Sequence, residues 1–499
     1  MPAIVERLGV RLRARGAGPD PGALLGLALR NNPRRAQLLV SRVLGKHVPT
    51  DPRVVHAAGL LLGALVADAL AGCPPRTLPV DLLHAAVRGA PGAAGALHVE
   101  AREAIASDAV DAVVLGFAET ATALGHCVAE ALGGADYLHS TRRPVAGVAT
   151  AGSFVEEHSH HTGHLLLPSD PGLLAGPRPL VLVDDELSTG RTAVNTITAL
   201  HHAAPRAHYV LATLVDLRED ALAGLPDGVR VDVVALTRAC LTLPPDLAER
   251  AAALRAELAG TTVAARPGGD GAAASARVTT PPHAAARPAG GGGSSATPPH
   301  AGHPAVSGAA APAIACATHA GVDAVGAPAG GADAPARVLL DDLGWPAGLP
   351  AGARHGFTAA HHRLLAVALP ELAADLARAA DVRAGERTLV LGTEELMAVP
   401  LRLAAALADA GHDVRFSTTT RSPAVVVDEP DYALTSGIAF PSHDDPADGP
   451  GPRFAYNVAR RWDHVIVVVD PPGDTPALRT GLLPALAPHT RRTTVVVTP

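Results

Sequence analysis

The stretch Pro179-Leu180-Val181-Leu182-Val183-Asp184-Asp185-Glu186-Leu187-Ser188-Thr189-Gly190-Arg191-Thr192 sets an apolar run, two adjacent carboxylates and a Ser/Thr/Gly turn in that order. The run from Pro179 to Val183 predicts a buried parallel strand, and Ala193 to Ala203 the helix that follows it. The turn between them has the makings of a phosphate cradle. Small residues there let backbone N–H groups approach an anion at the positive end of the helix, and the hydroxyls of Ser188, Thr189 and Thr192 add donors beside Gly190 and Arg191. Carboxylates do not attract phosphate, but Asp184 and Asp185 at the strand end can accept hydrogen bonds from two ribose hydroxyls. The segment therefore predicts a ribose 5-phosphate site. It contains neither GxxxxGK[ST] nor GxGxxG, which excludes a Walker A loop and a dinucleotide turn here. The simpler alternative is a helix capped by Ser188 or Thr189 beside two solvated aspartates.

A chain of 499 residues is long enough for two or more domains. Only 2% of it is aromatic, so its core must be mostly aliphatic. A formal charge of −7 provides no global basic field, which argues against duplex nucleic acid as a partner. Cys73, Cys127, Cys240 and Cys316 are scattered without CxxC spacing, fitting a reducing compartment and offering no zinc or disulfide framework. No apolar run is expected to reach the roughly 18 residues that span a bilayer, and no signal-peptide core is evident. These features predict a soluble, cytoplasmic protein without a membrane partner.

Composition shifts after about Ala264. From Arg266 to Arg337 the chain is Ala, Gly, Pro, Ser and His with hardly any large apolar residue. Such a stretch cannot bury enough surface to offset its ordering entropy, so it reads as a flexible linker. The expected division is a first domain over 1–262, a disordered linker over 263–337 and a second domain over 338–499.

In the first domain, Ala112 to Leu115 predicts a strand, Gly116 to Thr120 a turn and Ala121 to Leu132 a helix, repeating the arrangement around Asp184. Tyr209 to Val215 and Val229 to Leu236 add two strands. The alternation argues for a mainly parallel sheet covered on both faces, with ligands beyond the carboxyl ends of its strands. In the second domain, Arg387 to Leu391, Asp413 to Thr418, Val465 to Val469 and Thr493 to Val497 predict strands. Met397 to Ala410 and a segment around Ala477 to Leu486 predict helices, a Rossmann-like α/β pattern without a glycine-rich dinucleotide loop.

The turn Gly116-Phe117-Ala118-Glu119-Thr120-Ala121 could direct N–H groups at a second anion, or be a plain strand-to-helix turn. Between the two turns, Tyr137 to Leu167 holds His139, Arg142, Arg143, Glu156, Glu157, His158, His160, His161 and His164, framed by Val145 to Val148 and Leu165 to Leu167. This suits a hairpin that closes over a ligand and excludes water. A transition-metal site at the H-x-H-H-x-x-H spacing and a solvated loop are the alternatives. Near the N-terminus, Arg30-Asn31-Asn32-Pro33-Arg34-Arg35 precedes an expected helix over Ala36 to Leu44 and then Gly45-Lys46-His47.

The string around Asp184 resembles the 5-phosphoribosyl-1-pyrophosphate (PRPP) motif of type I phosphoribosyltransferases. With Glu119-Thr120-Ala121-Thr122 and Glu157-His158-Ser159-His160, residues 20 to 240 resemble orotate-phosphoribosyltransferase-like proteins of bacterial tellurium-resistance and stress-response gene clusters. Thr420-Arg421-Ser422-Pro423 is similar to the tetrapeptide that names the TRSP domain, which follows this transferase type. Leu391-Gly392-Thr393-Glu394-Glu395 supports that likeness.

The resemblance implies an α/β chain with a type I phosphoribosyltransferase fold followed by a second, Rossmann-like α/β domain. The implied reaction moves phosphoribose from PRPP to a nucleobase-like nitrogen, releases pyrophosphate and uses Mg2+ held mainly through PRPP. PRPP would be bound by Ala118, Glu119, Thr120 and Ala121 and by Asp184, Asp185 and Ser188 to Thr192. Arg142, Arg143, Glu157, His158 and His160 would act in catalysis. Arg35, Lys46 and His47 would lie in a hood over the acceptor, and a homodimer is implied. In the second domain, Arg421 either holds an anion or pairs with Glu394 or Glu395. A PRPP-sensing regulator and a phosphoribosyl hydrolase or phosphorylase are the rival readings.

Overall fold

The computed structural model describes residues 4–32, 35–145, 147–148, 150–155, 163–264, 335–444 and 451–499. One compact unit comprises Met1–Ala252 with Gly331–Pro499, and another spans Ala253–Gly330. Of the latter, the described residues continue the helix Leu247–Ala264.

The first unit contains a six-stranded sheet. Its order is Arg11–Ala14, Arg230–Thr242, His208–Asp216, Leu180–Leu187, Val113–Gly116 and Asp136–His139. The first strand runs antiparallel to its neighbour and the others are parallel. Period-two alternation sends successive side chains to opposite faces. Val181 and Val183 join the core beneath helices Pro52–Leu70 and Thr122–Ala131, whereas Leu180 and Leu182 pack with Ala193, Ile197 and Leu200 of helix Arg191–Ala203. The predicted strand is longer than its apolar run, because Asp184 and Glu186 still pair with Thr213 and Val215.

Gly116 pairs with Val183 in parallel register. The turns that follow these two strands therefore emerge side by side at one carboxyl edge.

A second sheet orders Ala336–Leu339, Thr490–Val497, Trp462–Val469, Arg387–Gly392 and Asp413–Thr418, all parallel. The last predicted helix is broken into Pro476–Thr480 and Leu482–Leu486. Gly481 between them leaves helical geometry, at φ −112° and ψ −85°, and Pro484 has no N–H to offer the carbonyl of Thr480.

Several expectations are corrected. Ala36 to Leu44 is not a helix: Gln37–Ser41 is a buried strand paired antiparallel with Leu25–Leu29. A short apolar run has no period of its own to separate strand from helix, and its pairing partner decided. Ala336 and Arg337, expected in the linker, begin the edge strand beside Thr490–Val497. Val145 to Val148 does not frame the histidine-rich segment; the hairpin strands are Gly152–Val155 and Gly163–Leu166. Helix Pro52–Leu70 is long and apolar enough to cross a membrane by length and composition, against the expectation of no such run, and is largely buried in the core.

The two α/β regions, expected as units flanking a linker, pack together in one compact unit. Tyr137 and Phe357 exchange backbone hydrogen bonds of 2.8 and 2.7 Å, and Thr50 bridges Phe416. At Gly45 the two regions also approach closely. Its φ is +70°, and a Cβ there would lie 2.5 Å from Cδ1 of Phe416, so both conformation and space exclude a side chain.

Candidate functional site

A cavity of about 260 Å³ opens at the carboxyl edge of the six-stranded sheet. One wall is the predicted sugar-phosphate turn: Asp184, Asp185, Glu186, Ser188, Thr189, Gly190, Arg191 and Thr192 all line it. Gly190 is the N-cap of helix Arg191–Ala203 at φ +79°, and a Cβ there would lie 2.4 Å from Cδ2 of Leu222. The turn thus reaches the helix's positive end through a left-handed residue that only glycine fits. The N–H of Asp185 donates to Asp184 Oδ1 at 2.9 Å, steadying the first carboxylate of the pair.

Ala118, Thr120 and Arg142 form a second wall. The Ala118 N–H donates to Ser140 Oγ at 2.9 Å, and Ser140 Oγ also bonds His164 Nδ1 at 2.8 Å. That chain ties the turn to the base of the histidine-rich hairpin. The peptide between Ala118 and Glu119 is cis. Two expected members of the turn sit differently. Ala121 is buried with its N–H bonded to the Phe117 carbonyl, so it faces the core. The Glu119 side chain does not line the cavity; it lies behind the turn, 3.1 Å from Lys46 Nζ and 3.9 Å from Arg421 Nε. Burial alone would raise the Glu119 carboxyl, but Lys46, Arg421 and Arg142 outweigh it and hold it below the ordinary glutamate value.

Arg30, Asn32, Arg35, Lys46 and His47 close the cavity from the hood hairpin. Arg35 pairs with Glu186, a carboxylate of the same turn that local pattern leaves without a role, so the hood is tied to the sugar-phosphate turn. Lys46 Nζ also donates to Thr120 Oγ1 at 2.7 Å. His47 is buried, lies 5.7 Å from the Tyr456 ring, and has its pKa driven well below 6.5 by burial, Lys46 and Arg30. Its imidazole is therefore neutral near pH 7, and its Nε2 is buried without a hydrogen-bond partner among the described residues.

The structure separates the arginine pair. Arg142 lines the cavity, whereas Arg143 turns away to pair with Asp444 and, at 3.2 Å, with Asp470. The chain bends at these two residues, so the adjacent side chains part. Glu157, His158 and His160, with Glu156 and His161, lie outside the described residues. Among those described, no group of three or more His, Cys, Asp or Glu side chains could hold a metal ion.

Of the two pairings expected for Arg421, the structure shows the one with Glu394. Arg421 Nε donates to Glu394 Oε2 at 2.6 Å, and Arg453 pairs with the same carboxylate. Burial and the Glu119 charge nevertheless push Glu394 up to about 7, against the pull of both arginines. Glu395 faces the other way, accepting from Thr141 Oγ1 at 2.8 Å and the Arg142 N–H at 3.0 Å. Burial would raise this carboxyl too, but Arg354, His139 and the Arg142 N–H bring it down to about 2. Thr420 is buried and bridges Phe454, and Ser422 lines the cavity itself.

This is an α/β protein with a mainly parallel sheet, whose candidate ligand cavity lies where such sheets bind ligands, beyond the carboxyl ends of the strands. Residues 24–239 match the family model described as Phosphoribosyl transferase, and residues 351–486 match the model described as TRSP domain C terminus to PRTase_2. The first α/β region is thus similar to phosphoribosyl transferases and the second to the TRSP domain that follows them. No curated protein matches the chain. Solved structures similar to part of it include three adenine phosphoribosyltransferases. Adenine phosphoribosyltransferase from Rhodothermus marinus is 23% identical over 25% of this chain and 68% of its own, with a TM-score of 0.18. The enzyme from Giardia lamblia is 20% identical over 31% and 84%, with a TM-score of 0.20. That from Trypanosoma brucei is 16% identical over 25% and 55%, so the chain spans little more than half its length, with a TM-score of 0.20.

Proposed function

We propose that this protein transfers phosphoribose from PRPP to a nitrogen of a nucleobase-like acceptor, releasing pyrophosphate. The observation that carries the reading is the convergence of three elements on one cavity: the Asp184–Thr192 turn, the Ala118–Thr120 turn and the hood. Asp184 and Asp185 accept from the ribose hydroxyls, and Ser188 to Thr192 hold the 5-phosphate at the helix N-terminus. Arg142 and the Ala118–Thr120 turn lie on the diphosphate side of the cavity. As the bond from C1 to the diphosphate oxygen breaks, its electron pair leaves with the diphosphate, and the acceptor nitrogen bonds to C1 as its proton passes to solvent. Donors already fixed around the departing charge supply much of the acceleration.

Mg2+ fits this cavity through hard oxygen donors, of which the chain offers Asp184 and Asp185 beside the ligand's own oxygens. When bound, it would neutralise diphosphate charge. His47 is the hood residue suited to reading an acceptor edge, since a neutral imidazole with an unmet Nε2 gains a hydrogen bond when a heterocycle enters. The likeness to orotate-type proteins of stress-response clusters, together with the TRSP domain, suggests a specialised nucleotide-like product made in the cytoplasm.

The deciding experiment incubates the full chain with PRPP, Mg2+ and a panel of nucleobases while pyrophosphate release is followed. Release that depends on one acceptor is expected. Absence of PRPP binding by calorimetry would remove the reading, and release without any acceptor would replace it with hydrolysis.

A further inference from the structure

The carboxyl edge of an open parallel sheet is where such a domain ordinarily binds its own ligand. In the TRSP domain that edge is occupied by protein. Residues just beyond strand Arg387–Gly392 reach two places: Glu394 holds Arg421 at 2.6 Å, and Glu395 holds Thr141 and the Arg142 N–H. Glu394 adopts φ +49°, an uncommon value for a residue with a Cβ, and the two neighbouring carboxylates diverge. Beyond strand Asp413–Thr418, Arg421 approaches Glu119 behind the Ala118–Thr120 turn, and Ser422 lines the cavity. Beyond strand Trp462–Val469, Asp470 pairs with Arg143. Ser417 Oγ and Asn457 Nδ2 donate to the carbonyls of Lys46 and His47 at 3.3 and 2.9 Å.

We propose that the TRSP domain is a structural part of the phosphoribosyl site: Arg421 is a positioning residue that holds the Ala118–Thr120 turn through Glu119, and Ser422 is a ligand-contacting residue supplied from the second domain. The assignment of the turn to diphosphate rests on the function proposed above, whereas the positioning does not. Glu119 is buried behind the turn and meets its cations from two sides, Lys46 of the hood and Arg421 of the TRSP domain. Removing either cation leaves a buried carboxylate short of charge and frees the backbone that carries it. The TRSP domain is thereby committed to the transferase cavity rather than to a second one at its own sheet edge.

The test uses full-length Arg421→Ala, Arg421→Lys and Ser422→Gly, with two independent readouts. Amide exchange over 117–122 should quicken roughly tenfold or more in Arg421→Ala and less in Arg421→Lys, while exchange in the strand Thr490–Val497 stays unchanged. The dissociation constant for PRPP with Mg2+ should rise roughly tenfold in Arg421→Ala and severalfold in Ser422→Gly. Should Arg421→Ala fail to fold, the Lys variant carries the comparison, and local quickening confined to 117–122 is still expected. Unchanged exchange over 117–122, or quickening spread evenly over both sheets, would overturn the positioning role. Unchanged PRPP affinity in Ser422→Gly would overturn the contact. If the wild-type chain does not bind PRPP, the proposed function falls while the exchange data still judge Arg421.

Discussion

Lys46 and Glu119 meet at 3.1 Å with only 5% and 6% of their side chains exposed. A buried pair of this kind is costly to break from one side, because the remaining charge stays desolvated. Lys46→Met is therefore expected to lower unfolding stability by on the order of 3 kcal/mol in urea titrations. The depressed Glu119 pKa contributes stability above its unfolded value of 4.5 that is lost as pH falls, and in Lys46→Met, where one of the cations that depress it is gone, this acid loss should be smaller. Equal stability in the two proteins at pH 7 would show the pair to be inert.

Asp184 and Asp185 stand at the strand end inside the cavity. Replacing either with Asn keeps the shape and removes the charge that strengthens a hydroxyl's hydrogen bond, worth about 1.5–3 kcal/mol. PRPP affinity measured by calorimetry should fall roughly tenfold to a hundredfold. Inorganic phosphate should bind both variants as well as it binds the wild type, because its proposed cradle is Ser188 to Thr192.

Gly190 has no tolerated replacement by an ordinary residue. Gly190→Ala must adopt φ +79° and bring a Cβ to 2.4 Å from Leu222. The left-handed conformation alone costs roughly 1–2 kcal/mol. Thermal unfolding should detect at least that loss, and Leu222→Ala in the same chain should relieve the contact part of it.

Glu395 is held down to about 2 although buried, so it remains charged in the native protein across the mild acid range. A folded pKa below the unfolded value contributes stability that is present above 4.5 and lost as pH falls towards 2. Glu395→Gln should flatten the stability profile between those two values while losing stability at pH 7, since Arg354 is left without its charge partner. A Gln variant with the wild-type pH slope would contradict the pairing.

Excising residues 266–334 and rejoining the chain with a short Gly/Ser segment should leave soluble, folded protein, because loop length enters stability only logarithmically. Extending the cut to Leu339 should not. It removes the edge strand that pairs with Thr490–Val497, and the melting temperature after the longer cut should drop sharply below that after the shorter one.

Much of the fold was legible because it is written in local pattern. Val113–Gly116, Leu180–Leu187 and Arg387–Gly392 are apolar runs bounded by turns, and parallel strands buried on both faces leave that mark. The hood strand Gln37–Ser41 reads locally as a helix because its pairing with Leu25–Leu29 is not encoded in its own period. Arg142 and Arg143 read alike as adjacent cations, yet one faces the cavity and the other Asp470. Only the backbone direction distinguishes them.

The sequence by itself determined the cradle: strand, two aspartates and a Gly190 turn are contiguous, and their chemistry follows from residue order alone. It determined the two parallel-sheet regions for the same reason. Tertiary structure alone decided that these regions share one cavity. The contacts responsible, Arg421 with Glu119 and Glu395 with Thr141, join residues hundreds of positions apart. Each side chain is an ordinary polar group until its partner is brought near, so no local signal could announce them. Burial then makes such pairs matter, because a desolvated carboxylate must be met by a cation or be protonated.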